Sequence, residues 1–454
     1  MHQRIGAPGA RRRRALLGGL VLAGVSLAGT ASAAVFRPET FTLANGLQVV
    51  LVPNHRAPIV TEMVFYKVGA ADDPVGKSGA AHFLEHLMFR GTKTMAPGEY
   101  SAEIARVGGE ENAYTTEDYT AFYATVALEH LPLALKLEAD RMANLQITDA
   151  VVEPEREVII EERRQRTDND PAAQLGERLQ AALFLNHPYR LPTIGWAHEM
   201  RGLTAADEDA FYRRWYAPDN AILVIAGDID VATLRPLAEK YFGGIAGRGV
   251  PPRHRLEEPP ALTPRRVTLE SESVQQPSWV RFYQAPSYHT DAKSAAALQV
   301  LAEILGGGAT SRLYRRLVVD GRVASAAGTS YDPDALDRAV FSFYASPPSG
   351  GHVEPVEQAV GVEIDRLLRD GVTEAELATA KSLLQAAAVK ARDSLTGPAR
   401  TIGAALATGG TVDELEAWPE KIGAVTAAEV VAAARAVMLP ENSVTGLLLP
   451  KPTS

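Results

Sequence analysis

Two histidines four residues apart, with a glutamate just before the second, stand in Ala81-His82-Phe83-Leu84-Glu85-His86-Leu87-Met88-Phe89-Arg90-Gly91. On a helix of about 3.6 residues per turn His82 and His86 lie one above the other with Glu85 beside them. Two imidazoles so placed can share a zinc ion, and the carboxylate between them reaches a water on that ion. The alternative is a hydrogen-bonded histidine pair on the surface of an amphipathic helix.

The surrounding residues supply the helix. Ser78 is the expected N-cap and Gly91 the expected terminator, while Phe83 with Leu87 and Leu84 with Met88 form an apolar flank. A third ligand has to come from elsewhere. The segment from Glu153 to Arg164 has a helical pattern in which Glu155 and Glu162 are seven residues apart, hence on one face two turns from each other. Alone it reads as a solvated charged helix; beside the histidine helix it offers one ligand and one supporting carboxylate.

The chain has 454 residues and no cysteine. Disulfides and thiolate-rich structural zinc sites are thereby excluded, and any zinc site must be built from imidazole and carboxylate groups, a set that suits catalytic zinc. Residues 1–33 read as an export peptide: Arg4 and Arg11 to Arg14 precede the apolar run from Ala15 to Val25, and Ala31-Ser32-Ala33 forms an Ala-x-Ala cleavage signal before Ala34. A membrane anchor is the other reading of that run, which is short for a span, and the adjacent arginines leave the twin-arginine route open beside the general one. Losing its five arginines takes the balance from 46 basic against 55 acidic residues to 41 against 55, that is from −9 to −14. Such a charge excludes nucleic acid as a partner. No later stretch is apolar for long enough to span a membrane, so a periplasmic or secreted protein is expected.

Residues 250–264 hold five prolines among several charges and read as a stiff, exposed linker between an N-terminal domain, 34–249, and a C-terminal one, 265–454. Both parts follow one plan. The first has alternating runs from Leu47 to Val52 and Ile59 to Val68, the histidine helix, Gly108-Gly109, and a strand-like run from Tyr119 to Val126. The second has Arg266 to Glu270, Ser278 to Tyr283, a helix from Ala292 to Leu305 ending at Gly306-Gly307-Gly308, and a strand-like run from Ala339 to Ala345. Helical patterns follow in each, Leu128 to Leu145 against Val353 to Asp370, then Glu153 to Arg166 against Glu374 to Ala391. The expected fold is α+β, two homologous domains that each pack a mainly antiparallel sheet with helices. The histidines occur in the first copy only.

With these residues in view the chain resembles the pitrilysin/insulinase family of zinc metallopeptidases, which includes the mitochondrial processing peptidase. His82-x-x-Glu85-His86, followed 76 positions after His86 by Glu162, is similar to the family's inverted zinc signature. Asn45-Gly46-Leu47, Gly108-Gly109-x-x-Asn112-Ala113-Tyr114-Thr115, His187-Pro188-Tyr189 with Gly195, and the run from Asn220 to Asp228 extend the likeness over essentially the whole chain after residue 33. The resemblance implies one zinc per chain held by His82, His86 and Glu162, with Glu85 as general base and Glu155 as the acidic residue supporting the site. It also implies a peptide substrate held as an added strand beside Asn112 and Ala113.

Zinc lowers the pKa of a bound water to about 7, and a nearby carboxylate can move the proton to the leaving amine. A serine or cysteine nucleophile has no support, since there is no cysteine and no Gly-x-Ser-x-Gly elbow. In one respect the chain departs from the family. The family's non-catalytic half carries an arginine followed seven residues later by a tyrosine that reach the substrate. Aligned on the turn from Gly306 to Tyr314, this chain has Val318 and Ser325 there, with Arg322 and Tyr331 at other offsets. A homologous, non-catalytic subunit supplying the Arg/Tyr pair is therefore an expected partner. The competing readings are an inactive scaffold or core subunit and a metal-binding periplasmic protein that cuts nothing.

Overall fold

In the computed structural model, which describes residues 35–451, the β-branched runs form two sheets; the export-peptide reading of residues 1–33 lies outside them. The first sheet comprises β1 (Glu39–Thr42), β2 (Gln48–Pro53), β3 (Ile59–Tyr66), β4 (Glu110–Thr115), β5 (Thr120–Ala127) and β6 (Ala221–Gly227), in the order β1-β2-β6-β3-β5-β4. The second comprises β7 (Arg265–Ser271), β8 (Ser278–Pro286), β9 (Ala326–Tyr331), β10 (Arg338–Ser346) and β11 (Ser443–Pro450), in the order β7-β11-β8-β10-β9. With β1 set aside, both sheets run first, fifth, second, fourth, third in chain order. Pairing is parallel only at β2–β6 and β7–β11. The fold is α+β and the unit is duplicated.

Strand periodicity explains the apolar runs. In the first sheet Val49, Leu51, Val60, Val64, Leu223 and Ile225 face one core, and their neighbours Val50, Val52, Met63, Phe65, Ile222 and Val224 face another. Both faces are buried, so these strands read as continuous rather than alternating hydrophobic stretches. Helices α1 (Ala80–Leu87), α2 (Glu99–Arg106), α3 (Leu131–Asn144) and α4 (Asp149–Arg163) belong to the side of the first core. The second core is closed from the other half of the chain: the helix Gly397–Ala407 lays Ala399, Ile402 and Leu406 on it. It approaches so closely that a Cβ on Gly403 would meet the Phe65 ring at 1.9 Å, which leaves room for glycine alone. The exchange is reciprocal. Helix α5 (Pro171–Leu183) of the first half buries Leu175, Leu179 and Leu183 against Val444 and Leu448 of the second sheet.

The connection at 250–264 has no regular structure and consists mostly of exposed residues, but it is not a free linker. Arg255 lies between Asp72 and Asp118, 2.9 Å from the latter, with all three side chains at most 6% exposed. Arg253 donates to the Ala407 carbonyl at 2.6 Å, and the buried Glu258 carboxylate accepts the N–H groups of Leu185, Asn186 and His187. Proline spacing advertises extension; the charges between the prolines anchor the segment to the first half, and Arg253 alone among them also reaches the second. Arg255→Ala leaves the buried Asp118 carboxylate without its cation and Asp72 with only Arg253, 4.0 Å away, and is expected to lower stability by about 3–5 kcal/mol, as a breaking of buried ion pairs does. Urea unfolding measures it, and a loss under about 1 kcal/mol would show the network to be superficial.

Candidate functional site

Helix α1 begins one residue later than its sequence implies. Ser78 does not cap it: its hydroxyl accepts the Trp196 N–H at 2.9 Å, and Gly79, at φ +92°, holds the N-cap position. Half-buried Asp73 takes over the capping, accepting the N–H groups of Gly79 and Ala81 at 2.7 and 2.8 Å. Phe83, Leu84 and Leu87 are fully buried, which orients the helix and turns His82, Glu85 and His86 toward α4 and β4. Helix α4 is half-buried rather than solvated. Val152, Glu155, Ile159 and Arg163 face inward, while Glu153, Glu157 and Glu161 remain in water.

The two helices bring three donors together. Glu162 Oε2 lies 3.1 Å from His86 Nε2 and 3.6 Å from His82 Nε2, yet meets no hydrogen-bond donor in good geometry. The three ligand atoms lie within 4.8 Å of one another, and no other such group of acids and histidines occurs among the described residues. Two imidazole nitrogens and a carboxylate oxygen are a set that zinc accepts. Behind them Glu155 Oε1 lies 2.8 Å from His86 Nδ1; a proton on Nδ1 leaves the Nε2 lone pair directed at the site. The other Glu155 oxygen meets Arg90, and Arg166 reaches Glu162 Oε1 at 2.8 Å.

Burial, helped by the neighbouring His86, pushes the His82 imidazole down to about 4. Burial acts on His86 in the same sense, but the carboxylates of Glu155 and Glu162 outweigh it and raise that imidazole to about 9. Glu155 and Glu162 are both held below the ordinary carboxylate range: burial opposes this, and the pairing with His86 and the cations prevails. Glu85 moves the opposite way. Burial raises its carboxyl, against the hydrogen bond that its Oε2 accepts from the Thr115 hydroxyl at 2.5 Å.

Asn112 and Ala113 lie on β4, an edge strand of the first sheet. The Asn112 side chain accepts the Ala113 N–H at 2.8 Å. A cleft of about 840 Å³ runs from the three donors along this strand, lined also by Phe89, Ser101 and Glu111. Thr115, Arg90 and Arg166 are contributors that sequence spacing does not single out. Thr115 stands within a recognisable motif, but nothing in the motif says which carboxylate its hydroxyl meets.

In the second half Val318 is packed against the core, and the Ser325 hydroxyl is engaged by Gln276 at 2.9 Å and by the Pro347 carbonyl at 2.9 Å. Of the nearby candidates, Arg312 pairs with Glu376 and Tyr331 donates to the Pro286 carbonyl, while Arg322 stands exposed.

Comparison with known proteins gives the family and the fold. Residues 48–196 match the family described as insulinase (peptidase family M16), and residues 202–384 match the M16 inactive domain. The chain is 33% identical to the zinc protease PqqE of Helicobacter pylori over 75% of its own length and 76% of the relative's. It is 29% identical to a probable mitochondrial-processing peptidase subunit beta of Schizosaccharomyces pombe, covering 88% of each chain. A crystal structure of a protease from Helicobacter pylori superposes with a TM-score of 0.85 at 29% identity, over 92% of this chain and all of that one.

Proposed function

Since the chain belongs to the insulinase family of peptidases, M16, we propose that it is an exported zinc endopeptidase acting on unstructured polypeptides, the catalytic subunit of a heterodimer. One observation carries the reading: His82, His86 and Glu162 converge on a cleft that also holds Glu85 and runs along a strand edge. Residues 34–249 would be the catalytic domain and 265–454 its counterpart without ligands. A zinc ion held by those three residues supplies an acidified water and polarisation of the scissile carbonyl.

The chain's own groups do the rest. Glu85, raised by burial and steadied by Thr115, takes the proton of the attacking water and returns it to the leaving nitrogen as the carbon–nitrogen bond breaks. Glu155 fixes the His86 ring. Backbone groups of β4 beside Asn112 and Ala113 hold the peptide as an extra strand, the Asn112 side chain giving way, and a folded protein offers no such strand. Export with cleavage between Ala33 and Ala34 would place the protein in the periplasm or outside the cell; among the described residues no helix is long and apolar enough to cross a membrane.

The heterodimer follows from Val318 and Ser325. A second copy of this chain would bring an apolar and a short side chain where a cation and a phenol are wanted. An oxyanion donor is worth about 10²–10³ in rate. Adding a homologous subunit that carries the Arg/Tyr pair should raise peptide hydrolysis by about that factor, and Val318→Arg with Ser325→Tyr should recover part of it. A purified chain that is fully active and indifferent to both would refute the assembly. The alternative, an inactive core subunit, draws on the match of residues 202–384 to an inactive domain. It predicts no hydrolysis under any of these conditions.

A further inference from the structure

We propose that Glu111 sets a substrate preference: it receives a lysine or arginine side chain of the peptide lying along β4, within about four residues of the bond that is cut. The proposal rests on the reading of β4 as the peptide-binding edge.

The cleft is rich in carboxylates, and nearly all are committed. Glu155 is taken by His86 and Arg90, Glu162 by Arg166 and the histidines and Glu177 by Arg163, while Glu85, which accepts from the Thr115 hydroxyl, stands beside the histidines as the general base of the proposed reaction. Glu111 has a single partner among the described residues, the Ser101 hydroxyl, which donates to Oε1 at 2.8 Å. Its other oxygen is free for a cation. Glu117, the remaining cleft carboxyl without a cationic partner, is raised by burial and so attracts a cation less strongly.

The register places Glu111 usefully. Thr115 turns toward Glu85 on α1 and Glu111 toward Ser101 on α2, with Ala113 between them packed on the core. Residues 111, 113 and 115 thus share the helix-side face of β4, and at about 3.3 Å per residue Glu111 lies roughly 13 Å along the strand from Thr115. A peptide paired with β4 sends alternate side chains to this same face. One opposite Glu111 passes Phe89 and Gly98, and a Cβ on Gly98 would meet nothing within 4 Å, so the space beside it is open. A long aliphatic stem with a cationic head fits such a passage, the stem on Phe89 and the head on the free oxygen.

The test separates binding from turnover. In the Glu85→Gln chain, ten-residue neutral peptides with a single lysine walked along the sequence are compared by fluorescence anisotropy with the same peptides carrying norleucine. One lysine position is expected to bind about five- to tenfold more tightly, as a charge-assisted contact across strands would give. Glu111→Gln should abolish the difference, and Glu111→Lys should transfer the preference to glutamate at that position, an inversion that a merely damaged fold cannot produce. Equal affinity of lysine and norleucine peptides at every position, or a lysine preference that survives Glu111→Gln, overturns the proposal. If the preference is found but the unmodified chain with its partner cuts none of these peptides, the peptidase reading fails and the Glu111 subsite stands.

Discussion

Glu85→Gln is expected to reduce peptide hydrolysis by a factor of about 10²–10⁴ while zinc content stays at one per chain. The amide keeps an oxygen for the Thr115 hydroxyl and occupies the same volume, so the hydrogen bond across the cleft survives. What it loses is the ability to hold a proton. The folded state raises the Glu85 carboxyl by burial, which means that folding disfavours its ionised form; above that raised pKa the charge costs stability. The neutral amide carries no such cost, and the melting temperature should be equal or higher. Loss of activity at undiminished stability separates a chemical role from a structural one. Hydrolysis within tenfold of the unmodified chain would remove Glu85 from the mechanism.

Zinc uptake near pH 7.5 is expected to release about one proton, and His86 is its source. Without the ion this imidazole is raised to about 9 between two carboxylates, whereas His82, at about 4, is already neutral. In the metal-free chain the His86 pairing therefore contributes stability in full below the ordinary histidine pKa of about 6.5 and loses it as pH rises through about 9. Zinc must displace that proton, so apparent affinity should climb about tenfold per pH unit until His86 is neutral. Calorimetry in two buffers of different ionisation enthalpy counts the protons. Glu155→Gln should weaken zinc binding by about 10–100-fold through loss of the His86 orientation, and His82→Ala with His86→Ala should abolish it. Stoichiometric zinc in that double variant, or uptake without proton release, would place the metal elsewhere.

The parts of this molecule legible in its sequence are those that local periodicity governs. The helices Val353–Asp370 and Glu374–Ala391 begin and end where their patterns do, because the Thr373 capping box with Glu376 separates two uninterrupted helical runs. The start of α1 is not legible, because a distant Trp196 N–H engages Ser78 and Asp73 caps in its place. Likewise the spacing of His82, His86 and Glu162 announces that two helices could share an ion, while the contacts of Glu85 with Thr115 and of Glu155 with Arg90 arise only when β4 and the end of α1 fold against them. The proline run advertises its backbone preference alone, because the buried salt bridges at Arg255 depend on partners more than 130 residues away.

The exchanged helices bear on how the chain reaches its native state. One face of the first sheet is covered by the helix Gly397–Ala407, which follows β6 in the chain by at least 170 positions and β3 by more than 300; just before that helix the Leu395 carbonyl accepts from the Thr61 hydroxyl, 334 residues away. Closing so long a loop is a slow, late event, and until it happens Val50, Phe65 and Val224 present a wide apolar face to water. The half that carries the histidines is made first on the ribosome but cannot finish folding there, because its lid has not yet been synthesised. Packing of the sheet that carries the cleft on its other side is therefore completed only when the second half has been made.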